Sequence, residues 1–339
     1  MTFQDDKAHH GHLQDLDGIR GILATAVMAY HFGLNSFIAR LSGGLFDHVQ
    51  WGFCVDFFFI LSGFVLALSM TKRPPTPRAF FVKRVRRLLP VHLVILCAFL
   101  PAFLLHSPPG YLEFLMSVLL LQSSLGMDSV NPPSWSAGLE LTVPLIAVVL
   151  LNPYMRMSRA IAIALLVLAA LAAGVALIGL ANGSKQEILR AILGLATGFF
   201  LCAVARQWID PQPGLRRALL TYAALAGAIG VMFLTDIVPA AAALFPVASI
   251  FTIIAGSRSR SLLSSPIAQW FGSRSYTIYM VHFPVMIAAI VLFGESQLQG
   301  NIAIKAGMIA VSLLLADLLT RFVELPLMRS KPVAAAAAA

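Results

Sequence analysis

The chain has 339 residues, of which 59% are hydrophobic and only 12% charged, with a mean hydropathy of +0.84 and a formal net charge of +9. Charged residues normally approach a quarter of a soluble domain, so this composition excludes an ordinary soluble protein and points to an all-α, polytopic integral membrane bundle. The basic residues sit in short connectors between apolar runs, which favours the lipid bilayer over nucleic acid as the partner of the positive charge.

Residues 1–15 are polar and mixed in charge, a tail without an evident cleavable signal, and His9, His10 and His12 within it read as a mobile cluster with no metal-binding role. An integral domain then fills 16–328, and 329–339, ending in Ala334 to Ala339, is a low-complexity tail. The first span, at about 19–38, carries Arg20 and His31 eleven residues apart. At about 100° per residue the two share one helical face roughly 16 Å apart, which describes a site with two ends. An ionisable group inside a span costs several kcal/mol unless it is paired or faces water, so each one is a functional candidate. His31, between Tyr30 and Phe32, is either a usable base or a histidine satisfied by a helix neighbour.

The second span, about 51–70, holds Asp56 among aromatics and a Ser62-Gly63 step that permits close helix approach. Asp56 either orients His31 or another cation, or makes an interhelical hydrogen bond. Residues 71–87 contain Lys72, Arg73, Arg78, Lys83, Arg84, Arg86 and Arg87 and no acid, and read as a basic connector. Arg84 and Arg87 fall on one side of a helix start, a geometry suited to phosphates of a donor or of lipid headgroups. The third span is expected at about 88–106, and the short apolar run 111–124 as a re-entrant or interfacial segment. Pro132-Pro133-Ser134-Trp135-Ser136 leads into a span at about 136–151 and brings Glu140 just inside it. There Glu140 accepts a proton or binds sugar, or else caps a helix beside an interfacial Trp135.

Further spans are expected at about 160–181, 188–205, 218–235, 238–256, 275–294 and 302–322, making about ten in all. With both termini inside, 17 basic residues fall in inner connectors, and only Arg40, Lys185, Arg190 and Lys305 fall outside. Cys54, Cys97 and Cys202 lack metal-ligand spacing and read as small buried residues, so no metal site is expected. The span at 275–294 carries Tyr279 and His282 on one face, with Pro284 freeing backbone carbonyls. The last span bears Asp317, Arg321 and Glu324 at spacings of four and three, a stripe of alternating sign that satisfies itself. No internal repeat supports a transporter of two inverted halves.

Together these segments resemble the membrane-bound acyltransferase 3 family, O-acyltransferases of bacterial surface glycans and some small glycosides. The resemblance rests on Leu16-Asp17-Gly18-Ile19-Arg20-Gly21 with His31, and on Val55-Asp56-Phe57-Phe58-Phe59 with Ser62-Gly63-Phe64. It continues through Arg84 and Arg87 before Pro90, Trp135-Ser136 with Glu140, Ser275-Tyr276 with Tyr279 and His282-Phe283-Pro284, and Glu324 with Pro326. Two departures stand out: Cys54 replaces a common glycine, and Leu141-Thr142-Val143-Pro144 replaces an aromatic continuation.

The resemblance implies transfer of an acyl group, most often acetyl, from cytoplasmic acyl-coenzyme A, a co-substrate and not a resident cofactor, to a carbohydrate or glycolipid hydroxyl. Arg20, Arg84 and Arg87 would hold the donor's phosphates and His31 would act as base or nucleophile. Asp56 would tune it, and Glu140, Trp135, Ser136, Tyr279 and His282 would line the acceptor side. The implied location is the bacterial cytoplasmic membrane, the basic connectors place both termini on the cytoplasmic side, and the extracytoplasmic esterase-like domain that some relatives append is not expected. A flippase of a lipid-linked glycan and a non-catalytic membrane scaffold are the alternatives.

Overall fold

The computed structural model describes residues 13–34, 43–44, 50–72, 75–151, 157–183 and 185–329. The histidine-rich tail, Arg40 and the alanine-rich end lie outside them. In chain order the helices are α1 (Gln14–His31), α2 (Phe53–Lys72), α3 (Pro77–His106), α4 (Tyr111–Val118), α5 (Ser134–Leu151), α6 (Arg159–Ala181) and α7 (Glu187–Ala205). After them come α8 (Leu215–Ile237), α9 (Phe245–Ser257), α10 (Pro266–Ser273), α11 (Ser275–Phe293), α12 (Glu295–Gly300), α13 (Ile302–Leu319) and α14 (Leu325–Arg329). A π-helical turn, Thr320–Glu324, joins the last two. Among the described residues the strand content is a two-residue parallel pairing of Gln212–Pro213 with Ser259–Arg260.

Among the described residues, eight helices are long and apolar enough to cross a membrane. Shorter or more charged helices occupy the other two expected spans: α5 is brief, and α1 carries Asp15, Asp17 and Arg20. The surface confirms the solvent. Leu105, Leu168, Leu171, Val175, Phe251 and Phe322 face outward while Asp56, His92, Asn131, Arg190 and His282 are buried, the reverse of a soluble protein's distribution.

Two elements differ from expectation. Helix α3 begins at Pro77, not near 88, because Thr76 caps it by accepting from Ala79 N (3.3 Å) and Pro77 suits the first helical position. The basic stretch from Arg78 to Arg87 is therefore helical and presents its arginines on a defined face. Helix α10 is an unforeseen short helix capped by Ser265 and tied to the start of α1 by Gln269 Nε2 donating to the Gln14 carbonyl (2.7 Å). The run 111–124 contains the eight-residue α4, too short to cross, and the start of a 3-10 turn at Ser123–Leu125. His92, buried midway along α3, contacts the Ser117 carbonyl through Nε2 (2.7 Å), so the segment doubles back beside α3 as a re-entrant feature would.

Close approach of α2 and α7 organises the core. A side chain at Gly198 would collide with the Ile60 carbonyl and one at Gly63 with the Leu195 carbonyl, and Gly194 and Gly198 form a small-residue pair one turn apart. Cys54 and Cys202 are buried as expected, but Cys97 is exposed: it lies on the face of α3 opposite Leu96 and Ile95, which enter the core.

Candidate functional site

A cavity of about 510 Å³ opens between α1, α2, α3, α5 and α11. Arg20, Lys83, Arg84, Arg87 and Glu140 line it with Ser62, Ser136, Tyr276 and Tyr279. Prolines explain much of its wiring. Pro144 inside α5 has no N–H to offer the carbonyl four residues earlier, which is that of Glu140. Arg84 fills the vacancy: Nη1 donates to the Glu140 carbonyl (2.6 Å) and to Glu140 Oε1 (3.1 Å), while Nη2 donates to Ser62 (3.2 Å). One guanidinium thus pins α3 to α5 and α2, and Phe80 stacks 5.0 Å from it.

Arg87 has a different partner, Glu324, with Nε and Oε1 3.8 Å apart. The expected stripe on the last span therefore breaks. Asp317 pairs with Arg321 (2.8 Å) and with Arg274 (2.6 Å), but the π turn inserts an extra residue's rotation and carries Glu324 round to α3. Arg20 keeps its helical neighbour Asp17 at 3.3 Å.

Tyr279 connects this cavity to a second polar cluster. Its hydroxyl accepts from Ser136 (3.1 Å), and its ring lies 5.8 Å from that of His282. His282, fully buried, meets His31 through Nε2 and Nδ1 at 3.2 Å. The same His31 Nδ1 lies 2.9 Å from the Val27 carbonyl. A carbonyl oxygen only accepts, so this geometry assigns the hydrogen to His31 Nδ1 and the lone pair to Nε2. His282 Nε2 then shares the same N–H as a second acceptor. Pro284 again frees a carbonyl four residues back, that of Met280, and buried Asn131 donates to it (3.0 Å). The loop between α4 and α5 is thereby fastened beside the histidine pair. Gly33, with φ of 70°, ends α1, and Lys305 Nζ donates to its carbonyl (2.9 Å).

The structure thus divides the sequence-derived residues into two groups. Arg20, Arg84, Arg87, Glu140, Ser136 and Tyr279 line the cavity, while His31 and His282 form the pair beyond it. Glu140, expected beside His282, sits with the arginines because Arg84 captures both its carbonyl and its carboxylate. Asp56 turns both oxygens to Arg190, at 3.0 Å from Nε and 2.6 Å from Nη2, so its partner is this second cation and not His31. Trp135 is no membrane-surface anchor: it packs on Phe59 (5.8 Å) and under Arg190 (5.4 Å).

Arg190 and Lys305, read from sequence as outer-connector residues, lie within α7 and α13 and are buried. Asn131, Ser62 and Arg190 were missed as site-forming residues. Counting four back from Pro144 and Pro284 marks the carbonyls that Arg84 and Asn131 serve, a signal present in the sequence. Among the described residues no cluster of histidine, cysteine and acid could hold a metal.

Comparison with known proteins identifies the family of the chain. A family model described as an acyltransferase domain matches residues 13–321. Acyltransferase MdmB of Streptomyces mycarofaciens is 29% identical, with 96% of this chain and 95% of that protein aligned. The putative peptidoglycan O-acetyltransferase YrhL of Bacillus subtilis is 28% identical over 94% of this chain and 55% of its own length. The peptidoglycan O-acetyltransferase OatA of Listeria monocytogenes is 25% identical over 94% of this chain and 56% of its own, so the chain spans about half of these two relatives. No solved structure matches it.

Proposed function

The chain belongs to the acyltransferase 3 family and is a membrane O-acyltransferase, and from that premise we propose that it carries an acyl group, acetyl foremost, from acyl-coenzyme A to a sugar hydroxyl of a surface polysaccharide, glycolipid or glycoside. The donor's phosphates meet Arg20, Arg87 and Lys83 in the cavity, with Arg84 holding the walls. Its thioester passes Tyr279 toward His31. Support for a cytoplasmic donor side, in a bacterial cytoplasmic membrane with both termini inside, comes from the basic connectors. The loop bearing Arg258 and Arg260 donates from Ser261 N to Asp15 at the Arg20 end of α1 (3.0 Å).

The observation that carries this mechanism is the state of His31. Donation from Nδ1 to Val27 leaves Nε2 with a lone pair at the far end of the helix from Arg20. The acceptor hydroxyl gives its proton to Nε2 as its oxygen attacks the thioester carbonyl. The C–S bond then breaks, the coenzyme leaves as thiolate, and the imidazolium returns the proton to it. Direct attack and a transient acyl-histidine use the same lone pair. His282 lies at His31 Nδ1, placed to steady the positive charge that forms.

Purified His31→Gln in liposomes, given acyl-coenzyme A and a candidate glycan, should lose about 100- to 10,000-fold in kcat while keeping its donor affinity. Near-normal transfer by a well-folded variant would overturn the mechanism.

A further inference from the structure

A second concavity, of about 840 Å³, runs between α8 and α9 on the outer surface of the bundle, away from the cavity just described. Its long walls are apolar, formed by residues such as Leu220, Val231, Val247 and Phe251, and its floor includes Gly227. A side chain built at Gly227 would meet nothing within 4 Å, so this floor is open space and not a tight helix contact. One end alone is polar, and it is strongly basic: Arg216, Arg217 and Arg258 converge there.

The arginines are not neutralised internally. Among the described residues none of the three makes an ion pair. Arg217 Nη1 instead donates to the backbone carbonyls of Asp210 (3.3 Å) and Arg258 (3.4 Å), which tie it between the two connectors. The nearest acid in sequence, Asp210, turns Oδ1 to Gln212 Nε2 (3.0 Å). Topology signals explain why basic residues lie at this end of the helices. They do not explain why three uncompensated guanidiniums stand at the mouth of an open apolar trough.

Length decides what fits. From Arg217 to Val231 the groove follows α8 for fourteen residues, about 21 Å. One leaflet of hydrocarbon is about 15 Å deep. The groove therefore matches a chain that starts at the headgroup level and descends through one leaflet.

We infer that the α8–α9 groove is a binding site for an anionic phospholipid, its phosphate on Arg216, Arg217 and Arg258 and an acyl chain laid along Gly227. The phosphate supplies the countercharge the protein withholds, and guanidinium geometry suits its oxygens. The chain fills a trough that would otherwise leave small residues without packing partners.

The test uses the full chain in nanodiscs made with phosphatidylcholine alone or with added phosphatidylglycerol, followed by detergent extraction and native mass spectrometry of retained lipid. Wild type should retain phosphatidylglycerol over phosphatidylcholine. Arg217→Gln with Arg258→Gln should lower that retention by about tenfold or more. Gly227→Leu fills the trough while leaving all three arginines, and a leucine is a better helix former than glycine, so the fold is kept. It should lose the lipid as well. Full retention by Gly227→Leu would reduce the feature to a headgroup patch and overturn the groove. Equal retention of phosphatidylcholine, or complete displacement by inorganic phosphate, would overturn the anionic phospholipid as occupant.

Discussion

Asp56 and Arg190 sit 134 residues apart in sequence, each about 95% buried, and meet through two hydrogen bonds. Removing one partner of such a pair strands the other. Asp56→Ala should therefore destabilise the protein by about 3–5 kcal/mol, read as a fall in melting temperature in detergent. Asp56→Ala with Arg190→Met should recover most of that loss. A stable double variant without transferase activity would instead give Asp56 a part in the chemistry.

His282 calls for a different measurement, because it touches His31 and not the carbonyl side of α1. An acceptor must remain at His31 Nδ1 if His282 steadies a charged ring. His282→Asn should keep more kcat than His282→Leu, with KM alike in the two. Equal activities would reduce the histidine to core filling.

At the scale of elements, backbone departures from ideal helix do the positioning. Pro144 and Pro284 open carbonyls that Arg84 and Asn131 close, so α3 and the α4–α5 loop are registered against α5 and α11 by hydrogen bonds to carbonyls a proline has left free. The π turn at Thr320–Glu324 gives the last span two faces: Asp317 serves Arg274 and Arg321, and Glu324 serves Arg87.

Helix contact at Gly198 is of the opposite kind, one of simple proximity. Gly198→Val should cost about 1–3 kcal/mol or prevent assembly, since its side chain would strike the Ile60 carbonyl. Gly307→Ala, with nothing within 4 Å, should change stability by less than about 1 kcal/mol. Thermal unfolding of the two variants side by side checks the contrast. Comparable losses would show that the α2–α7 approach is looser than drawn.

For the whole molecule, the separation of arginine cavity from histidine pair sets what can be uncoupled. Tyr279 belongs to both, lining the cavity with its hydroxyl on Ser136 and its ring near His282. Arg20→Gln with Arg87→Gln should weaken acyl-coenzyme A binding by tenfold or more, in a salt-dependent way, and leave the pH dependence of the chemical step unchanged. Titration calorimetry at two ionic strengths is the measurement. Unchanged affinity would move the phosphates elsewhere.

The apolar helices and their order were legible in sequence because hydropathy and length are local properties. So were His31 and Glu140 as candidates, each an imidazole or an ion in an apolar run, and Arg84 as one of two arginines on one side of a helix start. Partners were not legible. Which cation faces Asp56, which acid faces Arg87 and where Glu140 turns depend on helix rotation and on which helices abut, and a helix turned by one residue presents a different face.

The sequence by itself determined that this is an all-helical membrane protein with the motifs of an acyltransferase, because the bilayer demands apolar length and tolerates few ions. Tertiary structure alone decided that Arg20 and His31, eleven residues apart on one helix, belong to separate clusters, Arg20 lining the cavity and His31 meeting His282 beyond it. Glu140 was drawn to Arg84 by a carbonyl that Pro144 could not bond, and His31 was met by His282 from a helix 251 residues away in sequence. Interhelical hydrogen bonds in a medium without water to replace them made those choices.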